Sequence, residues 1–194
     1  MSCLKNTGID QILLWKQFRE GNKDAFTVII KIFYNEMYSY GFCFTKDTGL
    51  LKDSIQDVFL TLWKSRLTIG NTTQIIFYLL KSLRRRLAEN INANHRYSIE
   101  SSESFEELFD FQLNKEDAIV YEESQQEITR QLKGAIGRLT KRQQEIIYLR
   151  FYNNAGFNQI ADAMGLTHQA VYNLLHIAIS KLKEINTNSQ LTGM

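Results

Sequence analysis

Not one of the 194 residues is proline, and only 10 are glycine. A chain so poor in backbone breakers has little with which to build the frequent turns of an all-β fold, and rich content of Leu, Ile, Lys, Glu and Gln favours long helices instead. The hydrophobic share of 44% and charged share of 23% are those of a globular chain, which excludes wholesale disorder. This length suits one ordinary domain or two small ones, and the sequence divides most naturally into two small helical units. Cys3 and Cys43 are too few and too unpatterned for a disulfide framework or a zinc knuckle, so a reducing compartment is expected. The apolar group Ile12 to Trp15 is too short for a signal peptide or a spanning helix, which points to the cytoplasm with no direct membrane insertion.

The net charge of +2 conceals three blocks. Residues 1–97 carry 14 Lys and Arg against 8 Asp and Glu, residues 98–127 carry 1 against 10, and residues 128–194 carry 8 against 3. Two basic units therefore flank an acidic connector, and polyanion binding at both ends is the natural inference. The connector mixes Ser, Glu and isolated aromatics without a sustained helical period, which reads as a flexible acidic linker; Phe105, Leu108, Phe109 and Phe111 leave open that it docks somewhere specific. The polar tail 186–194 is expected to fray.

In the first unit, Leu51, Ile55, Val58, Phe59, Leu62 and Trp63 recur at helical spacing. A second stripe runs Ile76, Leu79, Leu80, Leu83, Leu87, Ile91, with Asn71 and Gln74 as a cap signal ahead of it. Phe26, Ile29, Ile30, Phe33, Met37, Tyr40 and Phe44 give a third, so a bundle of at least three long helices is expected. On the second stripe's helix Lys81, Arg84, Arg85 and Arg86 crowd like charges together, and a phosphate backbone would relieve the repulsion; a solvated helix face is the plainer reading of the same cluster. Trp63, Phe77 and Tyr78 could stack unpaired bases, or serve as core.

The second unit opens with Thr140 and Gln143 in capping-box spacing before Ile146, Ile147 and Leu149. Ala161, Gly165 and Val171 then fall at the spacing of a helix-turn-helix: a small residue for close helix approach, a glycine for the positive φ of the turn, and a β-branched plug between the helices. Thr167 caps the second helix. His168, Gln169, Tyr172, Asn173 and His176 fall on its outer side, as a base-reading set, while Val171, Leu174, Leu175, Ala178 and Leu182 face inward. His168 and His176 have no further ligand at metal spacing, so no metal is expected.

With both halves read, the chain resembles the extracytoplasmic-function class of bacterial sigma factors, the promoter-recognition subunits of RNA polymerase. Gly21-Asn-Lys-Asp-Ala-Phe26 is similar to the family's opening segment, Asp53-Ser-Ile-Gln-Asp-Val-Phe-Leu-Thr-Leu-Trp63 to its core-binding helix, Phe77 to Arg86 to its promoter-melting and minus-10-reading helix, and Leu139 to Glu184 to its minus-35-reading domain. The resemblance implies an all-α protein: a region 2-like helical bundle at 1–97, an acidic linker at 98–127, a region 4-like helix-turn-helix domain at 128–185 and a tail. It implies that Asp53, Gln56, Asp57, Phe59, Leu60 and Trp63 lie on the helix that docks on core polymerase. Asn71, Lys81, Arg84 and Arg85 would hold the minus-10 element as it opens, and Thr167, His168, Gln169, Tyr172, Asn173 and His176 would face the minus-35 element. The linker would thread the polymerase channel, where its charge imitates nucleic acid. Partners implied are core RNA polymerase, promoter DNA and a membrane-bound anti-sigma factor, with no cofactor and no small-molecule ligand; the iron-uptake-like branch is one possible placement.

This chain departs from the family pattern in having Leu139-Thr140 for Leu-Pro, Arg84-Arg85 for Arg-Asn, and Tyr172 and Ile177 where Arg is common. Its recognition helix therefore lacks phosphate-binding cations before Lys181 and Lys183, and weak DNA binding by the free protein is expected. The competing reading is a stand-alone helix-turn-helix regulator that binds palindromic DNA as a dimer, with the first unit as sensor or dimerisation module. An enzyme is not expected, because no nucleophile–base set, metal-ligand cluster or Gly-rich phosphate loop is present.

Overall fold

The computed structural model describes residues 10–97, 104–111 and 123–191; side chains are described for all of these but 94–97, 123–129 and 186–191. Among the described residues there is no β-strand, and eight α-helices carry the fold. They fall into two compact units, the break lying between Phe105 and Glu106.

The first unit holds α1 (Gln11–Arg19), α2 (Lys23–Phe42), α3 (Thr48–Ser65) and α4 (Ile75–Tyr97). Each of the first three begins where a short polar side chain accepts the orphan backbone N–H groups of the first turn. Asp10 accepts from Ile12 and Leu13, Asn22 from Asp24 and Ala25, and Asp47 from Gly49 and Leu50, all at 2.8–3.2 Å. The stripes read from the sequence form the core: Phe33, Met37, Leu51, Ile55, Leu79, Leu83 and Leu87 are fully buried. At Gly41 the helices come close enough that a Cβ would meet a Leu51 methyl at 2.4 Å and a Leu83 methyl at 3.3 Å. Asn71 does not cap α4 as its spacing suggested. Its side-chain oxygen accepts instead from Arg19, Gln74 N–H turns back to Thr72 Oγ1 at 3.2 Å, and the first amide of α4, Ile75, donates to Gln11 Oε1 at 3.4 Å.

The second unit holds α5 (Glu123–Gly137), α6 (Lys141–Ile147), a π-turn (Tyr148–Tyr152), α7 (Phe157–Met164) and α8 (His168–Leu191). The capping box of Thr140 and Gln143 is formed in both directions, at 3.3 and 3.1 Å. Helix α5 begins at Glu123, inside the stretch assigned to the connector, and α8 stays helical as far as Leu191 rather than fraying at Asn186.

Part of the connector is not a free tether. Phe105, in a short 3-10 turn (Phe105–Glu107), is buried against the first unit, its ring stacked on Phe44 at 4.7 Å and 5°. Phe109 is fully buried in the second unit, edge-on to Tyr148 at 5.9 Å; Phe111 meets the same ring at 5.6 Å and its N–H donates to Gln144 Oε1 at 3.1 Å. Each aromatic removes a large apolar area from water, which offsets part of the entropy lost in ordering the residues beside it. Of the two readings left open for the connector, 104–111 follows the docked one; 98–103 and 112–122 lie outside the described residues.

Candidate polymerase and nucleic-acid interfaces

Helix α3 sorts its expected docking residues by face. Asp53, Gln56 and Leu60 are exposed, with Leu60 at 57%. Asp57 is half-buried and lies 3.9 Å from the Arg86 guanidinium. Phe59 is 6% exposed, its ring edge-on to Phe26, so its surface is spent inside the unit. Trp63 is half-buried in an aromatic cluster with Phe18 and Phe26, and the Arg66 guanidinium covers it at 4.6 Å. What α3 offers a partner is a polar, partly acidic strip with one protruding leucine.

On α4 the arginines are arranged more economically than the sequence suggests. Arg85 donates to Glu89 at 3.0 Å, and Arg86 reaches Glu89 at 3.2 Å. Arg84 lies over the Phe105 ring at 5.3 Å. The crowding of like charge is thus relieved within the chain, and phosphate is not required to explain it. Arg85 and Lys81 remain exposed, the Arg85 side chain at 84%. Tyr78, Ser82, Arg85 and Arg86 share with Thr61 and Leu62 a cleft of about 320 Å³ between α3 and α4. Tyr78 itself is half-buried, edge-on to Trp15.

The loop leading into α4 is held by α1. Trp15 Nε1 donates to Gly70 O at 3.0 Å, and Arg19 donates to Asn71. Lys16, Arg19, Glu20, Leu67 and Asn71 line an open cleft of about 430 Å³, with Leu67 72% exposed. Lys16 and Arg19 are the cations that sequence reading did not attach to Asn71. No local signal links residues 52 positions apart.

In the second unit the helix-turn-helix forms as spaced. Gly165 has φ +65°, and its N–H and that of Leu166 both return to Ala161 O. Val171 is fully buried, Leu175 and Ala178 nearly or wholly so, while Leu174 and Leu182 are half-buried. Thr167 Oγ1 accepts from Ala170 N–H at 3.2 Å, the cap that starts α8. Thr167, His168, Gln169, Tyr172, Asn173 and His176 are all exposed. Gln169 Nε2 donates to Asn173 Oδ1 at 3.0 Å, and Phe157, His168, Tyr172 and His176 form a loose ladder of rings with centroids 5.4–6.4 Å apart. This face is aromatic and amide-bearing, suited to base edges and thymine methyls more than to phosphates. The sequence reading missed Arg150, which donates to Ala155 O at 2.9 Å and lies over Phe157 at 5.5 Å, setting a cation at the start of α7.

A second missed surface is apolar. Phe111, Leu132, Ile136, Ile147, Phe151, Tyr152, Ile179 and Leu182 line a groove of about 520 Å³, with Phe151 61% and Leu132 47% exposed. Phe151, in the π-turn, follows the buried Ile147 by four residues and lines the same groove, but reaches out into solvent. Among the described residues no cluster of His, Cys, Asp or Glu could hold a metal ion, and no helix is long and apolar enough to cross a membrane.

The sequence pattern of sigma-70, region 4 matches residues 135–184, which contain α6, the π-turn, α7 and most of α8. A protein of Clostridium perfringens described as Bacteriocin UviA is 30% identical over 179 residues, covering 86% of this chain and 93% of its own. Two solved structures share the fold at low identity. CnrH, in complex with the cytosolic domain of CnrY, matches with TM-score 0.57 and 15% identity over 93% of this chain and 99% of its own. The sigma factor RpoE of Bartonella quintana, in complex with the anti-sigma factor NepR, matches with TM-score 0.58 and 16% identity over 85% and 98%.

Proposed function

We propose that this chain, a member of the sigma-70 family, acts in the extracytoplasmic-function class, binding core RNA polymerase through the exposed strip of α3 and directing it to promoters with α4 and α8. The observation that carries this reading is the helix-turn-helix at 157–176, matched to region 4 and displaying its whole predicted base-reading set to solvent, in one chain with a basic helical bundle. Asp53, Gln56 and Leu60 supply the docking contacts, with Asp57 at the edge of the strip, while Phe59 and Trp63 keep α3 in place from below. Asn71, with Lys16 and Arg19 beside it, and Lys81, Arg84 and Arg85 on α4 hold the minus-10 element as its strands separate. Thr167, His168, Gln169, Tyr172, Asn173 and His176 read the minus-35 element in the major groove, and Arg150 supplies the phosphate contact that the helix itself lacks near its start.

The chain supplies no catalysis of its own in this scheme; it works in the cytoplasm, where polymerase does. Its similarity to RpoE in complex with the anti-sigma factor NepR, and to CnrH in complex with the cytosolic domain of CnrY, supports an anti-sigma factor as a further partner, one anchored in the membrane. The apolar groove at Phe151 and Leu132 suits the apolar face of a helix from such a partner or from polymerase.

The deciding experiment is transcription in vitro with core enzyme from the native host and genomic fragments as template. Specific start sites that appear only when the chain is added are expected. Tight core binding without open complexes at any native promoter, or sequence-specific duplex binding at palindromic sites without polymerase, overturns the proposal.

A further inference from the structure

The Phe105 contact is more specific than an anchor requires. Its ring lies parallel to Phe44 within 5°, at 4.7 Å, with the Arg84 guanidinium over it at 5.3 Å. An aromatic platform and a guanidinium are the two groups that proteins use to stack a planar base. In sequence the ring is followed by Glu106 and Glu107, so this stretch of linker presents a flat ring beside anionic groups, the chemical layout of a nucleotide strand, to a unit whose charge is basic. The platform is also fixed independently of the linker: Phe44 is braced from within the unit by Tyr40, edge-on at 5.2 Å and 79°. Withdrawal of Phe105 would leave the slot standing.

We infer that Phe44 and Arg84 form a stacking site for one unpaired base of promoter DNA, and that the linker's Phe105 occupies this site while no DNA is bound. The inference rests on the promoter-opening role proposed above for α4. Exchange of Phe105 for a base replaces one stack by another on the same platform, so its net cost is small, and the linker is freed from the first unit at the moment the strands part. Arg84 is the residue shared by both states, covered by the linker in the free chain and presented to DNA after exchange.

The test uses the full-length chain and a fluorescein-labelled oligodeoxythymidine about 15 nucleotides long, followed by anisotropy at low salt. F105A is expected to bind the oligonucleotide at least about fivefold more tightly than the unaltered chain, the lower end of what one base–aromatic stack contributes. F105W, which keeps a ring in the slot, stays at the original affinity. The gain is lost in F105A/F44L, and in F105A/R84K, which keeps the charge but not the planar fork. Unchanged or weaker binding by F105A overturns the proposal and makes Phe105 a permanent anchor, as does a gain that survives F44L. F105S serves as a second removal of the ring, and thermal melting of each variant separates lost folding from lost binding. Binding to core polymerase is measured alongside. F105A retains it, and failure of the unaltered chain to bind core at all would sink the sigma-factor reading while leaving the slot to be judged on the oligonucleotide data.

Discussion

Arg85 and Glu89 show how little a residue's energetics reveals about its use. The pair is a surface i,i+4 bridge with the arginine 84% exposed, and such bridges contribute roughly 0–1 kcal/mol. R85A should therefore leave the melting temperature nearly unchanged, while lowering the log–log salt slope of promoter binding by the holoenzyme by about 0.9, one phosphate contact's worth; salt titrations of wild-type and variant holoenzyme measure it. Gly41 is the opposite case. Its missing side chain lets α2 approach Leu51 and Leu83, and a Cβ would have a methyl at 2.4 Å. G41A is expected to cost about 1–3 kcal/mol in urea unfolding, as overpacked cores do. At Gln169 the hydrogen bond to Asn173 fixes which amide atoms face outward. Q169A should relax minus-35 preference by about 1–3 kcal/mol at one base position, read by competition binding with a set of single-base variants.

Helix α3 is divided between two tasks, and neighbouring residues separate them. Phe59 faces the core at 6% exposure and Leu60 faces solvent at 57%. F59A should cost about 3–5 kcal/mol and loosen the whole first unit. L60D should leave the thermal melt unaltered and weaken core-polymerase binding by about tenfold or more, the signature of an interface hot spot. Equal losses of stability and binding in L60D would mean that this face is structural. In the second unit the element that matters most is irregular. The π-turn Tyr148–Tyr152 interrupts the helix after α6 and carries an exposed Phe151 and a cation, Arg150, over Phe157 at the start of α7. Sequence periodicity sees the apolar stripe of α6 and extends it; it carries no mark of the turn that interrupts it.

Taken as a whole, the chain keeps two basic blocks apart with an acidic one, and its recognition helix has few cations. Free chain should give no gel shift on promoter duplex at ~150 mM salt, where holoenzyme gives a clear one, because the few phosphate contacts available to the chain alone are lost steeply with salt. The sequence by itself determined the helical class, the caps at Thr140 and Thr167, the helix-turn-helix and the three charge blocks. The charge blocks are composition alone; the others are written in residues within a few positions of one another, where the i,i+4 hydrogen bond, the cap and the turn glycine act. The tertiary structure decided the pairing of Asn71 with Arg19, of Arg86 with Asp57, and of Phe105 with Phe44 and Arg84. Those partners lie tens of residues apart, and only the packing of helices against each other, which no local pattern specifies, brings them within reach.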